Sequence, residues 1–497
     1  MSWFNSIRRI LGLKQADKTP PDTTCDKISK TSFYKSTHAS PPLTGDLTQF
    51  PSTKPSAPKQ QIIIGLDFGT AFTKVVIGEV RISYAVPFMS DKYENPYLLL
   101  SALKVASNGE CSFGHDAQSS GQLLINLKMK LLEGSPSKED LVNIVAFLAL
   151  VLRHCRLWLM ENHRLTYEGK YLDWYVNVGL PTDSYHDEAL TATYRNVLTA
   201  AWALSIIPDA VTINRAHKIL SCIERGEKPL DEDCVNLHDR LICAETIGLF
   251  PEFVAQVTGY VRSPLRKEDL HLIMDVGAGT IDISVFNVFK SEGENQGDFK
   301  SEEEHWFPIF AKALRPLGTY YLMRHRVEKV QKDVVYKWNF EERTPSRNEF
   351  ASAVKISVEK VKEIDEKFCS TIGKTLGDLL KYSKECRYPN SICWREGIPT
   401  FLCGGGGKVD VYMGLLKRIE RNRDHSRRIR LEKLPKPERL MAPYILDDGY
   451  DRLMVAYGLS FNALDIGVII RDSEIEDVRA QEKGIDLCDR YIDKDMV

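Results

Sequence analysis

The chain has 497 residues, of which 43% are hydrophobic and 27% are charged, so it can bury a large core and divide into more than one unit of ordinary domain size. Its 66 basic and 68 acidic residues leave a formal net charge of −2, which excludes a global positive field for nucleic acid, and we expect no nucleic-acid partner. Eleven cysteines without a CxxC pair, and no N-terminal apolar run long enough for a signal peptide or a membrane span, predict free thiols and a cytoplasmic protein.

Residues 1–14 predict an amphipathic helix. Its apolar face would carry Trp3, Phe4, Ile7, Ile10 and Leu11. Basic residues accompany this face and no acid occurs before Asp17, so the segment predicts peripheral contact with a membrane at its inner face. A partner-docking helix and an unstructured start remain as alternatives.

Residues 15–60 are rich in Pro, Ser, Thr and Lys, and this composition predicts a disordered linker. From Gln61 onward, apolar strand-like runs alternate with longer helical patterns, as in an α/β protein. Strands are predicted at 62–66, 175–179, 271–275 and 400–403. Long helices are predicted at 138–162 and at about 348–382.

A near-repeat separated by 208 positions is the most informative feature. The run from Ile62 to Thr70 returns as the run from His271 to Thr280, and each copy is an apolar strand that ends in Asp and a turn of small residues. A second apolar strand follows each turn, so each copy predicts a β-hairpin. A P-loop is excluded because Phe368 stands where the first glycine before Gly373-Lys374-Thr375 would be required.

The two predicted hairpins have the chemistry of a polyphosphate site. Small residues allow the backbone N–H groups of a turn to approach phosphate oxygens. The carboxylates of Asp67 and Asp275 would repel phosphate unless a cation lay between them, which indicates bound Mg²⁺, held through its water shell.

A glycine run forms the third element. The predicted strand that ends at Cys403 continues into Gly404-Gly405-Gly406-Gly407-Lys408 and then into a helical pattern at 409–419. Bare backbone at a helix start can approach a flat ligand, and the long side chain of Lys408 could cover an adenine.

The order of these three elements, followed by Val455-Ala456-Tyr457-Gly458, resembles the actin-like ATPase superfamily. That superfamily includes actin, the bacterial actin-like proteins and the ATPase domain of the seventy-kilodalton heat-shock chaperones, and it shares its fold with sugar kinases. The resemblance is nearest to the chaperone ATPase domain and the bacterial actin-like proteins. It implies a two-lobed α/β fold with duplicated ribonuclease H-like lobes behind the disordered N-terminal tail. The implied bounds are lobe I at 61–268, lobe II at 269–452 with an inserted subdomain at about 301–395, and a return to lobe I with a C-terminal tail at 453–497.

The resemblance also implies which residues bind ATP or ADP. They are Asp67, Gly69, Thr70, Phe72, Lys74, Gly277, Ala278, Gly279, Thr280, Gly318, Glu359, Lys362, Gly404, Gly405, Gly406 and Lys408. Those implied to hold hydrated Mg²⁺ are Asp67, Asp275 and Asp282.

The catalytic positions carried over by resemblance are Asp275, a lysine and a glutamate. Lys128 and Lys130 both lie near the position of the chaperone's catalytic lysine, and the register leaves both open. Glu252 resembles the glutamate that helps to place the metal and the attacking water, with Glu245 as the rival. Ala71 replaces a hydroxyl residue of the family's first turn and Thr319 replaces a glycine, so hydrolysis is expected to be slow or absent.

These expectations favour an ATP-dependent molecular switch that gates an unidentified protein partner. Only 39 residues follow Gly458 (497 − 458), which disfavours a free-standing chaperone with its own substrate-binding domain. An ATP-dependent, filament-forming actin-like protein is the main alternative. A small-molecule kinase is a third, although no catalytic carboxylate for a substrate hydroxyl is evident.

Overall fold

The structure is a computed structural model that describes residues 57–88, 95–116, 120–132, 136–182, 185, 187–229, 242, 244–290, 305–330, 344–421, 428–445, 449–475 and 477–478. These residues belong to one compact unit that spans Leu43–Val497. The helix predicted at 1–14 and most of the linker predicted at 15–60 lie outside the described residues. At its described end the linker prediction is wrong, because Lys59 and Gln60 already pair with Tyr171 and Leu172 in a sheet.

Lobe I is built on strands that begin with the first predicted hairpin. They are β1 (Lys59–Phe68), β2 (Phe72–Gly78), β3 (Ser83–Ala85), β4 (Leu99–Leu100), β5 (Leu103–Val105), β6 (Cys111–Phe113), β7 (Gln122–Leu124), β8 (Tyr171–Leu180) and β9 (Ile247–Pro251). The strands predicted at 62–66 and 175–179 are confirmed within β1 and β8.

The helices of lobe I are α1 (Leu127–Leu132), α2 (Lys138–Asn162), α3 (Arg164–Tyr167), α4 (Glu188–Ile206), α5 (Ile213–Glu224) and α6 (Glu252–Val261). Helix α2 has the predicted bounds, because Ser137 and Asp140 form a capping box at its start. It is apolar and long enough to cross a membrane, but 78% of its most apolar stretch is buried inside the lobe, which favours a core helix.

Lobe II contains β10 (Asp269–Val276), β11 (Ile281–Lys290), β12 (His305–Arg315), α7 (Thr319–Lys329), α8 (Arg347–Val354), α9 (Val358–Tyr382), α10 (Cys393–Glu396), β13 (Ile398–Cys403), α11 (Asp410–Arg421) and β14 (Ile429–Glu432). The strands predicted at 271–275 and 400–403 are confirmed. The single helix predicted at about 348–382 is wrong. Lys355 adopts a left-handed conformation with φ of 55° after α8, and Ser357 then caps the start of α9.

The two lobes repeat one strand arrangement. The central order is β3-β2-β1-β8-β9 in lobe I and β12-β11-β10-β13-β14 in lobe II. In each lobe the first three strands along the chain pair antiparallel, while the last two lie parallel to the first. This duplication is the fold predicted by the resemblance, and the predicted fold class is confirmed.

The end of the described chain belongs to both lobes. It contains β15 (Leu440–Met441), a short 3-10 turn (Tyr450–Leu453), α12 (Met454–Leu459), α13 (Ala463–Ile466) and β16 (Val468–Ile470). Strand β15 pairs with β3 of lobe I, and β16 pairs with β12 of lobe II. Both pairings differ from the implied bounds, which assign β15 to lobe II and β16 to the return to lobe I. Strand β12 also lies in the stretch assigned to the inserted subdomain, yet it pairs with β11 in the lobe II sheet.

One apolar core fills each lobe, and a further cluster joins them. This shared cluster takes residues from both sheets, including Val76 of β2 and Ile273 of β10, and from helices α6 and α12. Burying apolar surface stabilises by roughly 25 cal/mol per Å², so moving the lobes apart would expose this cluster and cost free energy. The shared core therefore fixes where the two hairpins lie relative to each other.

Candidate functional site

The two hairpins face each other across the lobes. An atom placed at the Cβ position of Gly279, in the turn between β10 and β11, would lie 3.9 Å from the side chain of Thr70, in the turn between β1 and β2. The same position lies 3.3 Å from Met129 Sδ on α1. The near-repeat therefore brings its two turns together, as the sequence predicts.

Backbone N–H groups at both turns are available to a ligand. Those of Thr70, Ala71, Ala278, Gly279 and Thr280 donate to no partner within the described part of the chain. Unpaired N–H groups in consecutive turn positions form an anion-binding concavity.

Each turn is held in shape by its neighbours. The Ser101 hydroxyl donates to the carbonyl oxygen of Gly69 over 2.7 Å. At the second turn, the N–H groups of Thr319 and Tyr320 at the start of α7 donate to the carbonyl oxygens of Gly277 and Ala278 over 3.1 and 2.8 Å. Gly318 allows this approach, because a side chain there would collide with Ala278. Thr319 therefore supports the turn through its backbone.

The first hairpin carries an ion pair. Asp67 lies opposite Lys74 across the β1–β2 ladder, and their Oδ2 and Nζ atoms are 2.6 Å apart. Both side chains are largely buried. The carboxylate at the first turn is therefore already neutralised by a residue of the same hairpin.

The second hairpin carries two acids in the equivalent positions. Asp275 lies opposite Asp282 across the β10–β11 ladder. Burial, together with the negative charges of Glu252, Asp67 and Asp282, raises the pKa of Asp275 to about 7, while the positive charge of Lys74 opposes this shift. This hairpin therefore lacks a neutralising cation of its own.

Asp282 also connects the lobes. The backbone N–H of Thr182, just after β8, donates to Oδ2 of Asp282 over 2.9 Å, and the Ser284 hydroxyl donates to Oδ1 over 3.3 Å. Burial nevertheless raises the pKa of Asp282 to about 6, despite the hydrogen bonds from Thr182 and Ser284. Asp282 thus joins a loop of lobe I to a strand of lobe II.

The structure brings Lys128 and Glu252 together. Lys128 on α1 is buried and forms a salt bridge with Glu252, the first residue of α6. Burial alone would lower the pKa of Lys128, but Glu252, Tyr194 and Asp67 raise it above its ordinary value. Glu252 fits here because its side chain packs against Gly179, where a Cβ would lie 2.8 Å from Glu252 Cγ.

The rival residues lie elsewhere. Lys130 is exposed, because two positions along α1 turn its side chain to the opposite face from Lys128. Glu245 is exposed in the 3-10 turn Ala244–Thr246 before β9. The geometry therefore favours Lys128 and Glu252 over Lys130 and Glu245.

The glycine run lies directly against the second hairpin. Gly404 has a φ of +77°, and a Cβ there would overlap Asp275 Oδ1 and the Val276 backbone, so the position requires glycine. Gly406 packs equally closely on Val276 and Thr319. The 3-10 turn Gly405–Lys408 then leads into α11.

The remaining predicted nucleoside contacts are at the surface. Lys408 is exposed beside the glycine run. Glu359 and Lys362 are exposed near the start of α9, and neither forms a hydrogen bond or ion pair with another described residue. Among the described residues, these two side chains therefore make no hydrogen bond or ion pair with the other predicted site residues.

Sequence reasoning missed Arg452, which lies between the first hairpin and the glycine run. Its guanidinium carbon is 5.7 Å from the centre of the Phe72 ring, and a Cβ on Gly405 would lie 3.1 Å from that carbon. Arg452 comes three residues before the Val455–Gly458 segment that contributed to the resemblance. A charged residue at the start of that segment was the available signal.

Comparison with known proteins adds little to this geometry. No protein-family model and no curated protein matches the chain. Among solved structures, it is similar to the crystal structure of MreB5 of Spiroplasma citri bound to ADP, with 13% sequence identity, a TM-score of 0.41, and coverage of 80% of this chain and 94% of that one. Because similarity at this level carries no functional argument, the fold assignment rests on the duplicated strand order and the paired hairpins.

Proposed function

We propose that this chain, whose duplicated lobes form the actin-like ATPase fold, binds ATP with Mg²⁺ between the two hairpins and hydrolyses it slowly as a molecular switch. The observation that carries the proposal is the approach of Gly279 to Thr70, which aligns two turns with unpaired N–H groups from opposite lobes. A polyphosphate between them would receive hydrogen bonds from both lobes.

The acidic side chains of the two hairpins fit a hydrated Mg²⁺ ion. Asp67, Asp275 and Asp282 would hold it. Burial and the neighbouring acids raise the pKa of Asp275, and a divalent cation would offset the negative charge of these acids. No cluster of three or more His, Cys, Asp or Glu side chains within the described ranges is arranged to bind a metal directly. When bound, the metal would neutralise charge on the phosphates.

The chain's own residues would position the reacting groups. Lys128 holds Glu252 in place through their salt bridge, and Glu252 or Asp275 would orient the attacking water. The N–H groups of the turns would stabilise charge that develops on the transferred phosphoryl group. Ala71 offers no hydroxyl at the first turn, which supports a slow rate.

The switch would be a change in the relation of the two lobes. ATP would contact both hairpins, so loss of its terminal phosphate would remove contacts that favour closure. Asp282 and Thr182 would transmit this change, because their hydrogen bond joins the lobes beside the second hairpin. We propose that a protein partner reads this opening. Membrane contact through residues 1–14 and a cytoplasmic location stay predictions.

Single-turnover hydrolysis and sedimentation of the full chain test this proposal together. We expect Mg²⁺-dependent ADP production well below the usual enzyme range of about 1–1,000 per second, without ATP-dependent pelleting. Pelleting with ATP would instead favour the filament-forming alternative. An absence of both hydrolysis and nucleotide binding would contradict the proposal.

A further inference from the structure

Arg452 lies where the first hairpin of lobe I meets the glycine run of lobe II. It lies in the 3-10 turn Tyr450–Leu453, through which the chain enters α12. Its guanidinium group lies over the Phe72 ring of lobe I, at 5.7 Å, and beside Gly405 of lobe II. One side chain thus touches both the first hairpin and the glycine run.

Arg452 has hydrogen-bonding capacity that the protein does not use. The side chain is partly buried, yet it forms no hydrogen bond or ion pair with any residue in the described ranges. Asp67 and Asp275 are its electrostatic neighbours, but their attraction does not offset burial, which lowers the pKa of Arg452. The cation–π contact with Phe72 accounts for the face of the guanidinium and leaves its five N–H donors open.

A purely structural role explains these contacts less well. An arginine placed only to neutralise Asp275 or Asp67 would be expected to bond one of those carboxylates directly, as Lys74 does with Asp67. The Arg452 side chain bonds neither carboxylate. The planar guanidinium group of Arg452 matches the geometry of a phosphate group, which offers two oxygens to parallel N–H donors.

We propose that Arg452 binds the phosphate chain of the nucleotide and thereby links the first hairpin to the glycine run when a di- or triphosphate is present. The inference rests on the proposed nucleotide site and adds a phosphate ligand from the segment that connects the lobes. Arg452 is a binding residue in this role, and the ligand class is a nucleoside polyphosphate rather than a nucleoside.

Calorimetric titration of the full chain with ADP and ATP in Mg²⁺ tests the inference in three variants. Arg452→Gln removes the positive charge and the planar guanidinium group, and Arg452→Lys keeps only the positive charge. Arg421→Gln changes an exposed arginine at the end of α11 as the matched control. Thermal unfolding without nucleotide shows whether each variant folds like the parent chain.

We expect Arg452→Gln to weaken ADP and ATP binding by about 10- to 100-fold, the range for a charge-assisted hydrogen bond or two. Arg452→Lys should recover part of the affinity, and Arg421→Gln should bind like the parent chain. Parent-like affinity in Arg452→Gln would overturn this inference and leave the proposed function standing. Equal losses in the Gln and Lys variants, with equally lowered unfolding temperatures, would also overturn it, because they indicate a packing role. A parent chain that binds neither nucleotide would overturn both this inference and the proposed function.

Discussion

The two hairpins share a register but differ in charge. Seven positions after the Asp near the end of its first strand, the first hairpin has Lys74 and the second has Asp282. In each ladder this residue lies opposite the Asp. The first pair neutralises itself at 2.6 Å, whereas burial and neighbouring acids raise the pKa of Asp275 to about 7.

The charges of the two hairpins indicate where the site depends on a ligand. The first hairpin can hold its charges in the unliganded protein. The second has a deficit of positive charge that the proposed metal would fill. The two copies of the hairpin therefore differ in charge balance. The first neutralises its own carboxylate, and the second would be neutralised by the bound cation.

Giving the first hairpin the charge pattern of the second should have the largest effect. Lys74→Asp removes the partner of Asp67 and adds a carboxylate, and breaking a buried ion pair in this way costs about 3–5 kcal/mol. We expect a matching loss in the free energy of unfolding by urea and no measurable ATP binding. Lys130→Asp makes the same charge change at an exposed position and should cost far less. Equal effects of the two substitutions would contradict the self-neutralised first hairpin.

Removing Lys128 should increase the imbalance at the second hairpin. Lys128→Met leaves Glu252 without its cation, and Glu252 already raises the pKa of both Asp275 and Asp282. We expect the single-turnover hydrolysis rate to fall by about 10- to 100-fold, the range for losing a partner that orients a functional side chain. Lys130→Met should hydrolyse ATP at the parent rate. A loss confined to Lys130→Met would show that the geometry points to the wrong lysine.

The pH dependence of stability should reveal the buried acids of the second hairpin, Asp275 and Asp282, without any nucleotide. Because the pKa of Asp275 rises from an ordinary 3.8 to about 7 on folding, the folded protein holds this proton more tightly than the unfolded chain. The resulting stability is complete below pH 4 and is lost as the pH rises through 7. Asp282, with a pKa of about 6, loses its share earlier.

Asp275→Asn should flatten this profile. In chelator, we expect the unfolding temperature of the variant to exceed that of the parent chain more at pH 8 than at pH 5, because Asn carries no titrating proton. Identical pH profiles would mean that folding does not raise the pKa of Asp275.

Much of the fold and part of the site follow from local sequence patterns. The hairpins, the bounds of α2 and the glycine run were predictable because apolar periodicity, a capping box and a repeat of small residues are local signals. The break at Lys355 was not, because a non-glycine residue in a left-handed conformation leaves little trace in the sequence.

Side-chain choices that depend on tertiary packing were less predictable. Lys128 and Lys130 stand two positions apart in one helical pattern, and the tertiary packing of α1 within lobe I decides which of the two is buried. Arg452 is separated from Phe72 by 380 residues (452 − 72), so its contact depends on how the chain returns to lobe I. No sequence pattern reports such a distance.

Calorimetric titration of the full chain with ATP, with Mg²⁺ and with chelator, is the most direct test of a nucleotide site completed at the second hairpin. The parent chain should bind ATP with Mg²⁺ and lose at least tenfold in affinity with chelator, while Asp275→Ala should bind poorly in both conditions. Parent-like binding by Asp275→Ala, or an absence of ATP binding by the folded parent chain, would contradict the account.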